Sequence, residues 1–172
     1  RRARDAGALV SFDLNLRPAL WPSGIEIRPL LWPALQLADL VKLSAEEFAW
    51  LAEADGEESV LERLWQGDTR LVVVTDGPNP LRWFHPDAEG ELPAYRVPAV
   101  DTTAAGDAFV GGLVQQLAEQ QVGPHDLDAL VATLPRLHAL LRYAAAAGAL
   151  TVTRQGSFTA LPDTAEVHAF ME

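Results

Sequence analysis

The run Asp101-Thr102-Thr103-Ala104-Ala105-Gly106-Asp107-Ala108-Phe109 sets a proton acceptor beside a place for an anion. After it, Phe109, Val110, Leu113, Val114 and Leu117 recur at helical spacing, which predicts a helix starting near Gly106 with one buried face. The first amides of such a helix have no carbonyl partners, and the macrodipole adds about half a positive charge there. Ala104, Ala105 and Gly106 carry almost no side chain, so the turn lets a phosphate come close to the backbone. A carboxylate at Asp107 would repel that anion unless it has a task, such as taking a proton from an attacking hydroxyl. A tight strand-to-helix turn with an acid complementing the dipole would read the same way.

Other segments carry polar groups at the ends of apolar runs. Asp13-Leu14-Asn15-Leu16-Arg17-Pro18 follows the apolar stretch Ala8 to Phe12, so it reads as a strand entering a polar loop, where open α/β sheets bind ligands. Asp13 and Arg17 also suit a simple ion pair. Ala38 to Glu47 reads as a short strand and then a helix capped by Ser44, with Glu47 three residues on to complete a capping box. Leu71-Val72-Val73-Val74-Thr75 is a central strand buried on both faces. The following Asp76-Gly77-Pro78-Asn79-Pro80 has hairpin-turn composition, with Leu81 to His85 and Pro93 to Val97 as the short strands beyond it. Ala144 to Ala147, Gly148 and Ala149 permit close helix packing.

The elements that must position these groups alternate. Strands near 8–13, 39–43 and 71–75 are separated by helices near 26–38, 44–53 and 57–66, the rhythm of parallel βαβ units, and Pro29 and Pro33 make the first of these helices irregular. Residues 125–148 read as helical with Pro135 dividing them, Thr164 to Phe170 as a last short helix, and Arg1 to Ala6 as the tail of one. No linker or repeat splits the 172 residues, so residues 1–172 are expected to form one domain. The 13 basic and 24 acidic residues give a net charge of -11, which argues against nucleic acid or an anionic membrane as partner. Without cysteine there is no disulfide or thiolate metal site, and His85, His125, His138 and His168 show no ligand spacing. No apolar run approaches a membrane span, no G-x-G-x-x-G follows the first strand, and the cytoplasm is the expected compartment. The five tryptophans read as core anchors, Trp21 being the one nearest a substrate.

Taken in order along the chain, these segments resemble the PfkB-type sugar kinases, the ribokinase and fructokinase relatives, with the 13–18 segment and Leu20-Trp21-Pro22 similar to the fructokinase and ketodeoxygluconate kinase branch. The resemblance implies a Rossmann-like, three-layer α/β/α sandwich of the ribokinase-like type, in which this chain lacks the N-terminal strands and the small β lid. It implies ATP-dependent phosphorylation of a sugar hydroxyl, fructose first and ketodeoxygluconate second, or a non-catalytic nucleotide-binding module of the same descent. Asp107 would be the catalytic base, and the turn Ala104 to Gly106, with the amides of Ala105, Gly106 and Asp107, the anion hole. The signature is usually written with glycine where this chain has Ala104, and alanine keeps the amide and the small size.

The same resemblance sets Asp13, Asn15 and Arg17 on the sugar or phosphate path. It sets Lys42, Ser44, Thr75 and Gly77 on the nucleotide side, with Ala147 and Gly156 walling the adenine. Glu47 would orient water around magnesium, although Ser44 replaces the family's asparagine, and Pro80 stands where relatives commonly carry glycine. A sheet edge left unpaired by the missing strands would favour association, a homodimer included.

Overall fold

The computed structural model describes residues 2–172, and Arg1, expected at the head of a helical tail, lies outside them. The chain divides into two compact units. One holds the chain up to Asp76 with Leu81–Glu91 and Gly123–Leu127, the other Gly77–Pro80, Leu92–Val122 and Asp128–Glu172.

In the first unit, α1 (Arg2–Asp5) leads to β1 (Ser11–Asp13), a shorter strand than the apolar run suggests. The reason is Asp39, whose carboxylate takes the Val10 N–H at 2.8 Å in place of a strand partner. Asp39 is only 1% exposed, and the Arg4 guanidinium meets its other oxygen at 2.6 Å. A buried charge needs such partners, and here they tie α1 to the approaches of two strands. Next come α2 (Ile27–Leu35) and β2 (Leu40–Ser44). Pro29 sits in the first turn of α2, where an N–H has no intrahelical partner, whereas Pro33 lies inside and removes one helical bond. The helix ends at Leu35, before the expected 38.

Then follow α3 (Ala45–Ala52), α4 (Gly56–Trp65), β3 (Leu71–Thr75), β4 (Leu81–His85) and β5 (Ala88–Leu92), and the sheet order is β1-β2-β3-β4-β5. β1, β2 and β3 are parallel, and β4 returns antiparallel to β3, as the proline- and glycine-rich turn predicts. The strand expected at Pro93 to Val97 is absent; β5 lies earlier, at Ala88–Leu92. Proline cannot donate to a ladder, whereas Gly90 lets the strand lie on the Trp83 ring, which a Cβ there would meet at 2.7 Å. Leu35, Val41, Leu43, Phe48, Leu64, Val72 and Val74 form the centre of this unit's core, each side chain contributing about 1.5–3 kcal/mol by leaving water.

The second unit is helical: α5 (Ala105–Glu119), α6 (Leu127–Ala132, which starts one residue before this unit's last segment), α7 (Leu134–Val152) and α8 (Thr164–Met171). The helical stretch divides at Pro135, as expected: α6 ends at Ala132 and Pro135 falls in the first turn of α7, the place where its missing N–H costs least. The buried face of α5 is Ala108, Phe109, Gly112, Leu113 and Leu117. Val114, expected inside, is exposed, because α5 turns its small residues toward α7. A Cβ on Gly112 would sit 3.2 Å from the Ala147 Cβ, and one on Gly148 would sit 3.1 Å from the Ala105 carbonyl oxygen. At its far end α5 closes with the Gln121 N–H on the Ala118 carbonyl and the Val122 N–H on Leu117, while Gln121 takes the left-handed conformation usual at that cap. An Asp163–Glu166 capping box starts α8, which packs Val167 and Phe170 against Tyr143 and Tyr95. Among the described residues no helix is long and apolar enough to cross a membrane.

Candidate active site

Within the first unit, the parallel register brings polar residues to one end of the sheet, since Asp13 pairs with Lys42 and Ser44 with Thr75 across β1, β2 and β3. That is the carboxyl end of the strands, where α/β sheets take ligands. The Lys42 ammonium, 6% exposed, sits 3.3 Å from the Asp13 carboxylate. A buried pair of this kind recovers its desolvation cost only in good geometry, so Lys42 reaches this end with its charge already matched. Of the 13–17 segment, Asn15 and Arg17 are exposed. Asn15 takes φ +43, a left-handed conformation asparagine tolerates, and the Arg17 guanidinium donates to the Leu16 carbonyl at 3.2 Å.

Ser44 ends β2 and caps α3 through the capping box that its spacing with Glu47 predicts. One Glu47 oxygen accepts the Ser44 N–H at 2.7 Å, and the other accepts the Leu16 N–H at 2.6 Å, a contact across the chain that capping chemistry does not foretell. The Thr75 hydroxyl donates to the Leu43 carbonyl at 3.4 Å. Gly77 has φ +53 with open space where a Cβ would stand, a turn that glycine makes without strain.

In the second unit α5 begins at Ala105, one residue before the sequence suggests. Asp107 stands in its first turn and is exposed. The first helical bond runs from the Ala108 N–H to the Ala104 carbonyl at 2.9 Å, while the Ala105 N–H closes on the Thr102 carbonyl at 3.3 Å. The amides of Gly106 and Asp107 therefore precede the helical ladder, and they, more than Ala105, are the donors available to an anion.

Ala104 has φ +63. Sequence alone makes the exchange of glycine for alanine look mild; the backbone shows where it costs. A left-handed residue with a Cβ is strained by roughly 1–2 kcal/mol, offset in part by the smaller entropy alanine loses on folding. Ala104→Gly should therefore raise Tm by about 1–4 °C in a thermal melt, and a fall in Tm would contradict the strain.

Asp101 braces this turn. Its carboxylate accepts the Thr103 N–H at 2.9 Å and the Gly156 N–H at 3.0 Å, while the Val100 N–H bonds the Val152 carbonyl at 2.7 Å. Gly156 has φ +104, and a Cβ there would meet the Thr159 hydroxyl at 2.7 Å. Hydrogen bonds from Thr103, side chain first and then N–H, and from Gly156 hold the Asp101 carboxyl below the usual aspartate range. With the folded pKa depressed, the stabilisation is complete above the ordinary aspartate pKa and is lost as pH falls through the lowered one. An NMR titration should show the Gly156 amide moving with a midpoint below 3.8; a midpoint at or above that value would refute the brace.

Ala147, expected against a base, is 5% exposed and spends its surface on α5. Sequence reasoning passed over three residues. Asp39 and Asp101 carried no signal beyond their charge, and Phe158, 86% exposed in the turn after Gly156, has no periodic neighbours to mark it. Among the described residues no three His, Cys, Asp or Glu side chains converge as metal ligands.

The comparison with known proteins shows the family. Residues 1–164 match the pfkB family carbohydrate kinase profile, and the chain belongs to that family. It is 38% identical to fructokinase-1 of Oryza sativa subsp. japonica over 171 residues, covering 99% of this chain and 51% of that protein. Among solved structures, fructokinase with bound ATP from Xylella fastidiosa superposes with a TM-score of 0.96 at 47% identity, covering 99% of this chain and 54% of the other. Fructokinase from Vibrio cholerae O395, bound to fructose, ADP and calcium, gives 0.85 at 34% identity over 99% and 53%. The fold is thus the ribokinase-like α/β type of these fructokinases, and the chain spans about half the length of the relatives it matches.

Proposed function

We propose that this chain is the nucleotide-binding and catalytic part of an ATP-dependent sugar kinase, acting in the cytoplasm on fructose, in a form that can pair as a homodimer. One observation carries the reading: an exposed carboxylate, Asp107, in the first turn of α5, beside the Gly106 and Asp107 amides that precede the helical ladder. The structures from Xylella and Vibrio, with ATP, or with fructose and ADP, support the choice of nucleotide and sugar.

The residues divide the work. The Gly106 and Asp107 amides, with Ala105 as a third donor once its long bond to Thr102 yields, hold the phosphoryl oxygens and stabilise the charge that builds on them. Asp107 accepts the proton of the sugar hydroxyl as that oxygen bonds the terminal phosphorus, the bond to the departing ADP oxygen breaks, and the sugar leaves as its phosphate. Asp13, Asn15 and Arg17 face the sugar or the phosphate path. Lys42, Ser44, Thr75 and Gly77 line the nucleotide side, and Gly156 with its loop walls the adenine. Magnesium, held through the phosphates and their waters, would neutralise the charge that builds on the phosphates. Each Glu47 oxygen keeps a lone pair beyond its amide bond with which to orient the ion's water.

The test is ADP release by the chain extended with the segment its longer relatives carry, assayed with fructose and with ketodeoxygluconate. Release that depends on fructose is the expected result. Dependence on the keto acid instead would move the substrate to that rival, and ATP binding without any sugar-dependent release would make the chain a nucleotide-binding module.

A further inference from the structure

Glu47 spends both carboxylate oxygens on backbone amides from two different strand ends, and only one of those bonds belongs to a helix cap. The Ser44 N–H at 2.7 Å, with the Glu47 N–H returning to the Ser44 hydroxyl at 3.1 Å, completes the box. The Leu16 N–H at 2.6 Å comes from the loop after β1, 31 residues away in sequence. Two residues before, the Leu14 N–H bonds the Lys42 carbonyl at 3.2 Å and so continues the β1–β2 ladder. Asn15 is thus pinned on both sides. It arches outward between them, exposed and at φ +43, where a chain without those anchors has no reason to stay.

We infer that Glu47 is a positioning residue that clamps the Leu14–Arg17 loop through the Leu16 amide and so presents Asn15 and Arg17 in one conformation. The inference rests on the reading above only for what that loop then meets; the clamp itself is a property of this chain. Hydrogen bonds from neutral donors to a carboxylate are short and about twice as strong as neutral ones. The carboxylate also serves two donors at once, which a glutamine cannot do, because its single oxygen satisfies one amide and its NH2 opposes the other. Aspartate keeps the charge but is one methylene shorter and cannot span both amides.

Amide hydrogen exchange on the 172-residue chain decides the matter. In the unmodified chain the Leu16 amide should exchange at least tenfold more slowly than the rate for unstructured chain, the low end of what a bond to a charged group supports. Glu47→Gln and Glu47→Asp should each remove that protection while β3 stays protected. Glu46→Gln, which deletes the exposed neighbouring charge in the same helical turn, should leave it within about threefold of the parent, since no bond to Leu16 is lost. An unprotected Leu16 amide in the unmodified chain overturns the clamp whether or not the variants fold. So does restoration of protection by Glu47→Asp, because charge alone would then suffice.

In the sugar kinase proposed above, Glu47→Gln should raise the KM for sugar together with the loss of Leu16 protection, and, because the same carboxylate orients the ion's water, should also weaken the magnesium dependence of the rate. A weakened magnesium dependence with Leu16 exchange unchanged would overturn the inference in favour of a role at the metal. If no sugar is phosphorylated at all, the exchange result still stands for or against the clamp, so the two failures are distinguishable.

Discussion

Replacing Asp107 by asparagine is expected to lower sugar-dependent ADP release by about 10²–10⁴-fold, the range that general-base help supplies. Asparagine keeps the shape of the first turn of α5 and leaves the Gly106 and Asp107 amides where they are, so the anion site survives the substitution. It also removes the negative charge beside that site. Binding of ATP should therefore be unchanged or tighter while turnover collapses, the pattern of an interaction made only in the transition state. Calorimetry for binding and a coupled assay for release, run on the same preparation, separate the two quantities. Turnover within about threefold of the parent would remove Asp107 from the chemistry, because even the low end of general-base catalysis is larger.

The second large effect is expected at Gly148, in the seam between α7 and α5. A Cβ there would stand 3.1 Å from the Ala105 carbonyl oxygen and 3.7 Å from the Phe109 Cβ, so a larger side chain meets the first turns of α5 directly. Overpacking a close contact of this kind costs about 1–3 kcal/mol. For a chain of this length Gly148→Leu should lower Tm by about 2–12 °C. The displaced atoms belong to the residue that opens α5, so the substitution should also shift the Gly106 and Asp107 amide resonances. Gly111→Ala, where a Cβ meets nothing within 4 Å, should do neither. A Gly148→Leu chain as stable as the parent would mean that the α5–α7 seam is looser than its distances indicate.

These expectations mark what was legible in the residues and what was not. Periodicity and turn chemistry are local, and the elements they govern came out as read: the buried run of β3, the Ser44–Glu47 box, and the helix that follows Gly106. The features that sequence reading missed depend on contacts between distant segments. The five residues of β5 look too polar and too glycine-rich for a strand, and only the Trp83 ring beneath Gly90 explains them. Val114 was assigned to the buried face of α5, but a helix packed through glycine and alanine turns that face toward the small residues, which hydrophobicity alone does not rank.

The site was legible in its residue types more than in its backbone. Asp107 stands in the first turn, as its spacing requires, yet nothing in the letters reveals that Ala104 is left-handed or that the Ala105 amide is already turned onto Thr102. Glu47 was legible as a cap, because a cap is a matter of three residues; its bond to Leu16 joins α3 to the loop after β1, 31 residues away, and has no sequence signature.

The most direct test of the account is an amide-resolved titration of this chain with ATP and magnesium. The account predicts that the Gly106 and Asp107 amide resonances move together and saturably, with smaller movements at Ala105 and Gly156, and that they keep moving in Asp107→Asn. Saturable binding that leaves the start of α5 unmoved, with its shifts elsewhere in the chain, would contradict the account, because the anion would then lie away from the Gly106 and Asp107 amides and the carboxylate beside them.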